Sequence, residues 1–247
     1  MTAHARRAVL LALLVAALGA LTASAASAAG PTANPEGMRQ LSDEKLVTKW
    51  AYPAYRARVY SRPTKSAHKK TRLRVLTEDK FPQPYVVLAD WSDTRGTRWF
   101  KVRLPGRPNG RTGWVTELSL GDLSTVNTSL VVNRRTLRVT LYKAGKQIFQ
   151  APIGVGKSST RTPAGHFWVT EKFHVRGAPV YGTRAIGTSA YAPGLTDWPG
   201  GGVVGMHGTN EPGLIPGRPS HGCIRLRNTA ITRLYRLVPK GTPIEII

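Results

Sequence analysis

The chain has 247 residues, which is enough for one large or two small domains. Its 36 lysines and arginines outnumber its 13 acids and give a formal net charge of +23, which favours polyanionic partners such as nucleic acid or anionic cell-envelope polymers. Its single cysteine excludes a disulfide within the chain.

The first thirty residues have the pattern of a secretory signal peptide. Arg6 and Arg7 form a positive region, residues 8–21 are apolar, and small residues follow to about Ala28. The apolar run is short for a bilayer-spanning helix, so a retained membrane anchor is the less favoured alternative. We therefore predict a signal peptide over residues 1–28 and a protein secreted to the cell envelope. Nucleic acid is not expected as a partner there, and anionic cell-wall polymers are candidates.

Residues 29–45 are small, polar and proline-bearing, which predicts a linker. The segment that follows, residues 46–122, alternates short β-rich runs with Gly/Pro turns. The runs are YVVLADW, RWFKVRL and RTGWVTEL, and the turns between them are SDTRGT and PGRPNG. Several short strands in one small segment predict a small barrel.

The run RWFKVRLP followed by GRTGWV resembles the closing strands of bacterial SH3-like domains. The resemblance implies that residues 46–122 form an SH3-like domain that binds stem peptides or crossbridges of a cell wall. A spacer barrel without a ligand is the alternative. Because this segment holds no comparable nucleophile and base, we expect its deletion to weaken wall binding and to leave turnover of small soluble peptides largely intact.

The second half of the chain follows a junction at residues 121–129 and again has the pattern of a mostly β domain. SLVVN and LRVTLYKAGKQIFQAPI predict three strands joined by tight turns, with Leu137, Val139 and Leu141 on one face. GHFWVTEKF predicts a further strand, and KGTPIEII predicts the last one.

A loop and a helix are predicted on either side of the cysteine. Residues 175–205 are rich in Gly, Pro, Ser and Thr, which predicts a long loop over a site. After the cysteine, Asn228 is the expected N-cap of a helix. The apolar face of that helix has i, i+3, i+4, i+7 spacing and consists of Ile231, Leu234, Tyr235 and Val238.

The stretch PSHGCIRL contains Cys223. A free thiol has a pKa of about 8.5, so a nucleophilic cysteine needs a base or a positive environment. His221 is two residues away and shares a face with Cys223 in an extended strand. His207 lies sixteen residues upstream, and the loop NEPGLIPGRP can return the chain to it. Gly222 has no side chain, so its N–H and that of Cys223 can approach a substrate carbonyl and stabilise an oxyanion.

HGTN followed by SHGCIRL resembles the signature of L,D-transpeptidases, the cysteine enzymes of bacterial peptidoglycan. Twelve residues separate His207 from Ser220, at the short end of the family's spacing, and IGVGKSSTRTPAGHFWV is similar to a second stretch of the family. The resemblance covers residues 127–247. It implies a β-sandwich catalytic domain with a few short helices and a cleft under a mobile lid, for which residues 175–205 are the candidate.

The resemblance also implies roles for individual residues. Cys223 matches the nucleophile and His207 the general base, which the main-chain carbonyl of Gly208 can orient. The other candidates for substrate binding, the oxyanion or the pocket are His221, Gly222, Ser220, Arg225 and Asn210. Structural roles stay open for these residues: Arg225 can bind a substrate carboxylate or form an internal ion pair, and Asn210 is more often a turn residue.

The implied reaction has two steps and needs no cofactor and no metal. The thiolate attacks the carbonyl that joins the third residue of a tetrapeptide stem to its terminal D-alanine, and a thioester remains when D-alanine leaves. An amine of another stem then attacks the thioester and forms a 3→3 crosslink. The expected partners are peptidoglycan stem peptides, and the protein is expected to be a monomer.

Three alternatives are kept. Water as the acceptor would make the protein an L,D-carboxypeptidase or wall hydrolase that uses the same cysteine. A wall-binding protein without catalysis would use only the basic surface and the SH3-like domain. A zinc peptidase built on His207, His221 and Cys223 is the least favoured, because H-x-C spacing is poor for zinc and no further ligand adjoins it.

Overall fold

The computed structural model describes residues 35–195 and 201–247. The predicted signal peptide and residues 29–34 of the predicted linker lie outside the described residues. In the described part the chain forms a sheet of eight strands, a sheet of ten strands and one α-helix, which confirms the expectation of a mainly β fold. No helix among these residues is long and apolar enough to cross a bilayer.

The first sheet is formed by residues 39–126. Its strands are β1 (Arg39–Gln40), β2 (Thr48–Ala51), β3 (Arg58–Tyr60), β4 (Lys69–Arg72), β5 (Tyr85–Ser92), β6 (Arg98–Arg103), β7 (Thr112–Thr116) and β8 (Ser124–Val126). They lie in the order β4-β3-β7-β6-β5-β2-β8, with β1 paired to β5. Strands β5 to β7 confirm the three β-rich runs, and β1 and β8 extend the sheet beyond the predicted segment 46–122. An SH3-like character of this region stays a prediction.

The core of the first sheet is supplied by apolar side chains on one face of its central strands. Val87, Val102 and Val115 come from β5, β6 and β7 and are fully buried. Tyr85 and Phe100 belong to the same cluster. Burial of each such side chain stabilises the fold by about 1.5–3 kcal/mol before the entropy cost of ordering the chain is counted.

The second sheet is formed by residues 128–246. Its strands are β9 (Thr128–Asn133), β10 (Arg138–Lys143), β11 (Lys146–Pro152), β12 (Gly154–Gly156), β13 (Gly165–His174), β14 (Arg184–Tyr191), β15 (Val203–His207), β16 (Gly217–Ser220), β17 (Ile224–Arg225) and β18 (Pro243–Ile246). Their order is β11-β10-β9-β18-β13-β14-β15-β17-β12-β16. The three-strand meander over residues 128–152, the strand at 165–174 and the last strand are confirmed.

Helix α1 (Asn228–Leu237) lies where the apolar spacing predicted it. Ile231 and Leu234 are fully buried and face β14 and β15. The prediction of Asn228 as N-cap is wrong, because Arg227 occupies the N-cap position without a side-chain cap and Asn228 is the first helical residue. The Asn228 side chain is used elsewhere: its oxygen accepts the main-chain N–H of Thr209 at 3.0 Å.

The prediction of one long loop over residues 175–205 is wrong for residues 184–191, which form β14 in the middle of the second sheet. Seven of its eight residues are buried, so the small side chains that indicated a loop are in fact packed on both faces. Gly187 is an example, because a Cβ there would collide with the carboxylate of Glu171 on β13. The expected lid is therefore limited to the residues on either side of β14, and it stays a prediction.

Candidate active site

Two neighbouring strands bring the predicted nucleophile and base together. β15 and β17 are parallel, and their register pairs Met206 with Ile224 and His207 with Arg225. Gly205 therefore lies beside Cys223, and its main-chain N–H donates to the Cys223 sulfur at 3.5 Å. Cys223 and His207 line the same two cavities, so their side chains belong to one site.

Cys223 and His207 stand in a wall shared by two cavities. The first cavity has a volume of ≈ 250 Å³, and His221 and Arg225 also line it. The second has a volume of ≈ 490 Å³, and its charged lining residues include Asp79 from the first sheet and Arg176. His207 and Cys223 line both cavities, whereas most of the other lining residues differ between the two.

The ring of His207 is held in one tautomer. The side chain is buried, and its Nδ1 lies 2.7 Å from the carbonyl oxygen of Gly208. A carbonyl oxygen only accepts, so Nδ1 carries the proton and Nε2 is left as the basic nitrogen. Tyr181 packs edge-on against the imidazole with 4.8 Å between ring centroids. The contact with Gly208 is the one that the sequence resemblance led us to expect.

Burial shifts both reactive groups toward their neutral forms. It lowers the pKa of His207 to about 4, and the nearby charge of Arg225 acts in the same direction. It also raises the pKa of Cys223, against the opposing effects of the Gly205 N–H and Arg225. At pH 7 the resting pair is therefore a thiol and a neutral imidazole, so His207 must take the proton as the sulfur attacks rather than before.

The turn that carries the cysteine is fixed by Ser220 and Gly222. Ser220 is buried, and its hydroxyl donates to the Cys223 carbonyl at 2.5 Å and accepts the Gly222 N–H at 3.1 Å. Gly222 has φ +129°, which other residues adopt only with strain. Because its N–H already has a partner, the Cys223 N–H is the better placed of the two predicted oxyanion donors.

Thr162 is a contact of this turn that the sequence analysis missed. Its hydroxyl donates to the Gly222 carbonyl at 2.7 Å and accepts the Gly156 N–H at 3.0 Å. The signal was present in the stretch STRTPAG, which was quoted only for its resemblance. Gly205, Tyr181 and Asn228 were also missed, because each acts through a contact that is distant in the sequence.

The remaining predicted residues differ in their surroundings. Arg225 lines the first cavity and forms an ion pair with Glu211 at 3.0 Å, so the internal ion pair considered for it is present. His221 is exposed and lines the same cavity. Asn210 is exposed and lies outside the lining of both cavities among the described residues, so no contact ties it to the site.

The first sheet holds part of the wall of the first cavity. Arg107 donates to the main-chain oxygens of Ala192, Leu195 and Gly201, each at 2.9 Å. Ala192 and Leu195 line the first cavity. A side chain from residues 39–126 thus fixes the backbone beside the candidate nucleophile.

Two more contacts join the sheets near the site. Asn109 exchanges hydrogen bonds with the main chain of Tyr191, at 2.8 Å and 3.1 Å. The indole N–H of Trp168 donates to the carbonyl oxygen of Pro84 at 2.8 Å in a buried position. These bonds, together with those of Arg107, connect the two sheets.

Comparison with known proteins relates the second sheet to L,D-transpeptidases. The family model of the YkuD L,D-transpeptidase catalytic domain matches residues 127–246. The protein named L,D-transpeptidase YkuD of Bacillus licheniformis is 35% identical over 115 residues, which cover 47% of this chain and 61% of that protein. Its namesake in Bacillus subtilis is 31% identical over 127 residues, covering 51% of this chain and 70% of the relative.

The protein named L,D-transpeptidase ErfK/SrfK of Salmonella typhimurium is 35% identical over 141 residues, covering 50% of this chain and 45% of that protein. The chain therefore spans between 45% and 70% of the length of these three relatives. Among solved structures, an L,D-transpeptidase of Enterococcus faecium is 28% identical over 49% of this chain and 49% of that chain, with a TM-score of 0.38. L,D-transpeptidase 3 of Mycobacterium tuberculosis is 16% identical over 66% of this chain and 91% of that chain, with a TM-score of 0.43.

Proposed function

The chain belongs to the L,D-transpeptidase family, and from this premise we propose that it is a secreted peptidoglycan L,D-transpeptidase that forms 3→3 crosslinks between stem peptides. The proposal of export rests on the signal-peptide pattern of residues 1–28. The proposal of the reaction rests on the chemistry of the Cys223 site.

One observation carries the choice of transfer over hydrolysis. Cys223 and His207 line two cavities whose other lining residues mostly differ. An acyl transfer needs a donor and an acceptor peptide at the same sulfur, whereas hydrolysis needs one peptide and water. The second cavity, of ≈ 490 Å³, is far larger than water requires and fits a second peptide.

In the first step, the sulfur of Cys223 attacks the carbonyl between the third residue and the terminal D-alanine of the donor stem. Nε2 of His207 takes the thiol proton during the attack, because the imidazole is neutral and Nδ1 is tied to Gly208. The N–H of Cys223 supports the oxyanion. His207 then gives its proton to the leaving amine, the carbon–nitrogen bond breaks, and a thioester with Cys223 remains while D-alanine departs.

In the second step, an amine of another stem attacks the thioester from the second cavity. His207 takes a proton from the amine and returns it to the sulfur as the carbon–sulfur bond breaks. A new amide joins the two stems, and the free thiol is restored. The energy of the cleaved amide is kept in the thioester, so the exchange needs no external energy source.

The charges of the two cavities favour this assignment of donor and acceptor. Arg225 gives the first cavity a positive charge and the His221 ring supplies an N–H donor, both of which suit the carboxylates of a donor stem. The second cavity combines Asp79 with Arg176, which suits an acceptor that bears both an amine and a carboxylate. A donor carboxylate would compete with Glu211 for the Arg225 guanidinium.

The test is product analysis with a purified tetrapeptide stem. The proposal expects crosslinked dimers and free D-alanine in equal amounts. Only trimmed tripeptide with D-alanine would show a carboxypeptidase instead. No product from a folded protein that still binds wall material would show a wall-binding protein without catalysis.

A further inference from the structure

A groove lined by arginines lies next to the turn at residues 220–223, which is called the catalytic turn below and carries Cys223. It has a volume of ≈ 620 Å³, and four arginines line it from three separate segments of the chain. The arginines are Arg134, Arg135, Arg161 and Arg218. The other described lining residues include Asn133 and Ser158 but no aspartate or glutamate.

Main-chain oxygens hold three of the four guanidinium groups of this groove, those of Arg134, Arg161 and Arg218, in place. Arg134 donates to an oxygen of the last residue, Ile247, at 3.2 Å and to the carbonyl oxygen of Thr162 at 3.0 Å. Arg218 donates to the carbonyl oxygen of Arg134 at 2.9 Å. These bonds orient the side chains of Arg134 and Arg218. Each guanidinium has five N–H donors, so several remain on every arginine for a ligand.

Five of the described arginines have acidic partners, whereas most of the others have none. Arg39 and Arg98 pair with Asp90, and Arg103 pairs with Glu44. Among residues 35–195 and 201–247, the groove arginines Arg135, Arg161 and Arg218 form no ion pair. Bringing like charges together without an acid is unfavourable, and a bound anion would remove that cost.

We propose that the arginine groove is a binding site for a phosphodiester polymer. Guanidinium groups bind phosphate in a bidentate manner, and all four cations are arginines rather than lysines. Because they come from three segments along one open groove, they can contact successive phosphates of a chain. The assumption that the polymer comes from the cell wall rests on the proposed export. The proposed binding site does not depend on export.

The arginine groove is separate from the cavities at Cys223, but one of its lining residues contacts the catalytic turn. It shares no described lining residue with either cavity at Cys223. Thr162 lines the groove and donates to the carbonyl of Gly222, so the groove lies on the far side of the catalytic turn. A polymer bound there would hold the protein on the wall and leave the cleft open for peptides.

The experiment measures binding of poly(glycerol phosphate) to the mature chain by titration at fixed salt. The test variant is the triple substitution R135Q/R161Q/R218Q, which keeps Arg134 and its structural bonds. The control variant is R56Q/R58Q/R72Q, which removes the same charge from a different cavity, one that also contains Glu117. Loss of several charge-assisted bonds should weaken binding of the test variant at least ~10-fold, while the control changes less than ~2-fold.

Equal weakening of both variants would overturn the proposal, because it would show that only net charge matters. Unchanged binding of the test variant would overturn it as well. Poly-L-glutamate is the second probe, and binding as tight as that of poly(glycerol phosphate) would refute the phosphodiester assignment. Acylation of Cys223 by a soluble peptide is expected to be the same in all variants, so a failure of the proposed reaction would be seen separately.

Discussion

The two sheets contribute differently to the candidate site. The second sheet carries both groups proposed to react, Cys223 and His207, on adjacent strands. The first sheet supplies no such pair, yet its Arg107 fixes the main chain at one cavity and its Asp79 lines the other. The family match begins at residue 127, but the walls of the cleft also include residues that precede it, such as Asp79. The boundary of the sequence similarity is therefore not the boundary of the candidate site.

This comparison changes the expectation for a deletion of residues 46–122. The sequence predicted that turnover of small soluble peptides would survive. The bonds from Arg107, Asn109 and Pro84 to the second sheet favour the opposite outcome, because their loss exposes Trp168 and frees the backbone beside the cavity. The variants that follow separate the roles of the two sheets, in order of decreasing expected effect.

The largest effect is expected for Cys223→Ala in the second sheet. Without the sulfur no thioester can form, so release of D-alanine should fall to the background level. The side chain is small, so the melting temperature should change little. Release of D-alanine at the wild-type rate by this variant would contradict the assignment of the nucleophile.

His207→Gln should slow acylation by about 10²–10⁴-fold, since this is the usual contribution of a general base. The pH profile provides a second readout. Because burial lowers the pKa of His207 to about 4, wild-type acylation should persist at pH 5.5 and decline only near the acid pKa, well below the ordinary 6.5. A wild-type profile that falls with a midpoint of about 6.5 would show that a different state of the imidazole controls the rate.

Glu171→Gln tests, through the stability of the fold, the burial of Glu171 near Asp79 of the first sheet. Burial raises the pKa of Glu171 from 4.5 to about 7, with the charge of Asp79 acting in the same direction. The unfolded chain loses this proton first as the pH rises, so the wild type loses stability between about pH 4.5 and 7. The variant lacks this loss and should be more stable by up to about 3 kcal/mol at pH 8, with little difference at pH 4.5. An equal difference in unfolding free energy between wild type and variant at pH 4.5 and pH 8 would contradict the raised pKa of Glu171.

Arg107→Met tests the part of the first sheet that holds the cavity wall. Loss of the bonds to three carbonyl oxygens should slow acylation about 10-fold, since a charge-assisted bond contributes about 1.5–3 kcal/mol. Arg111→Met is the matched control, because Arg111 lies in the same sheet and bonds only within it, to the carbonyl of Pro105. Equal rates in the two variants would show that the first sheet does not position the site.

Asp79→Asn should have the smallest effect, about threefold to tenfold on KM for the amine acceptor, consistent with one exposed charge interaction. Acylation by the donor alone should not change, because Asp79 lines only the second cavity. Asp122→Asn is the control, since Asp122 is exposed and lines neither cavity. An effect of Asp79→Asn on the donor step rather than the acceptor step would reverse the proposed assignment of the cavities.

The sequence predicted Cys223 and His207 as the candidate pair because the information is local and chemically distinctive. S-H-G-C surrounds the single cysteine, and His207 stands at a spacing that a loop can close. Most strands followed from alternation and turns. Strand β14 was missed because its small residues have the composition of a loop, and only the packing of Gly187 against Glu171 explains them.

The role of the first sheet could not be predicted in the same way. Arg107 and Gly201 are 94 positions apart, and the chain contains 36 basic residues with nothing in the sequence to mark this one. The lowered pKa of His207 also depends on burial by elements distant in the sequence, so spacing alone does not give it.

The most direct test of the account is the intact mass of the full-length mature protein after brief mixing with a purified tetrapeptide stem. We expect a mass increase equal to the tetrapeptide less D-alanine, located on the proteolytic peptide that contains Cys223. Addition of an amine-bearing stem should then discharge this adduct and yield a crosslinked dimer. Product formed without any adduct on Cys223, or an adduct on another residue, would contradict the account.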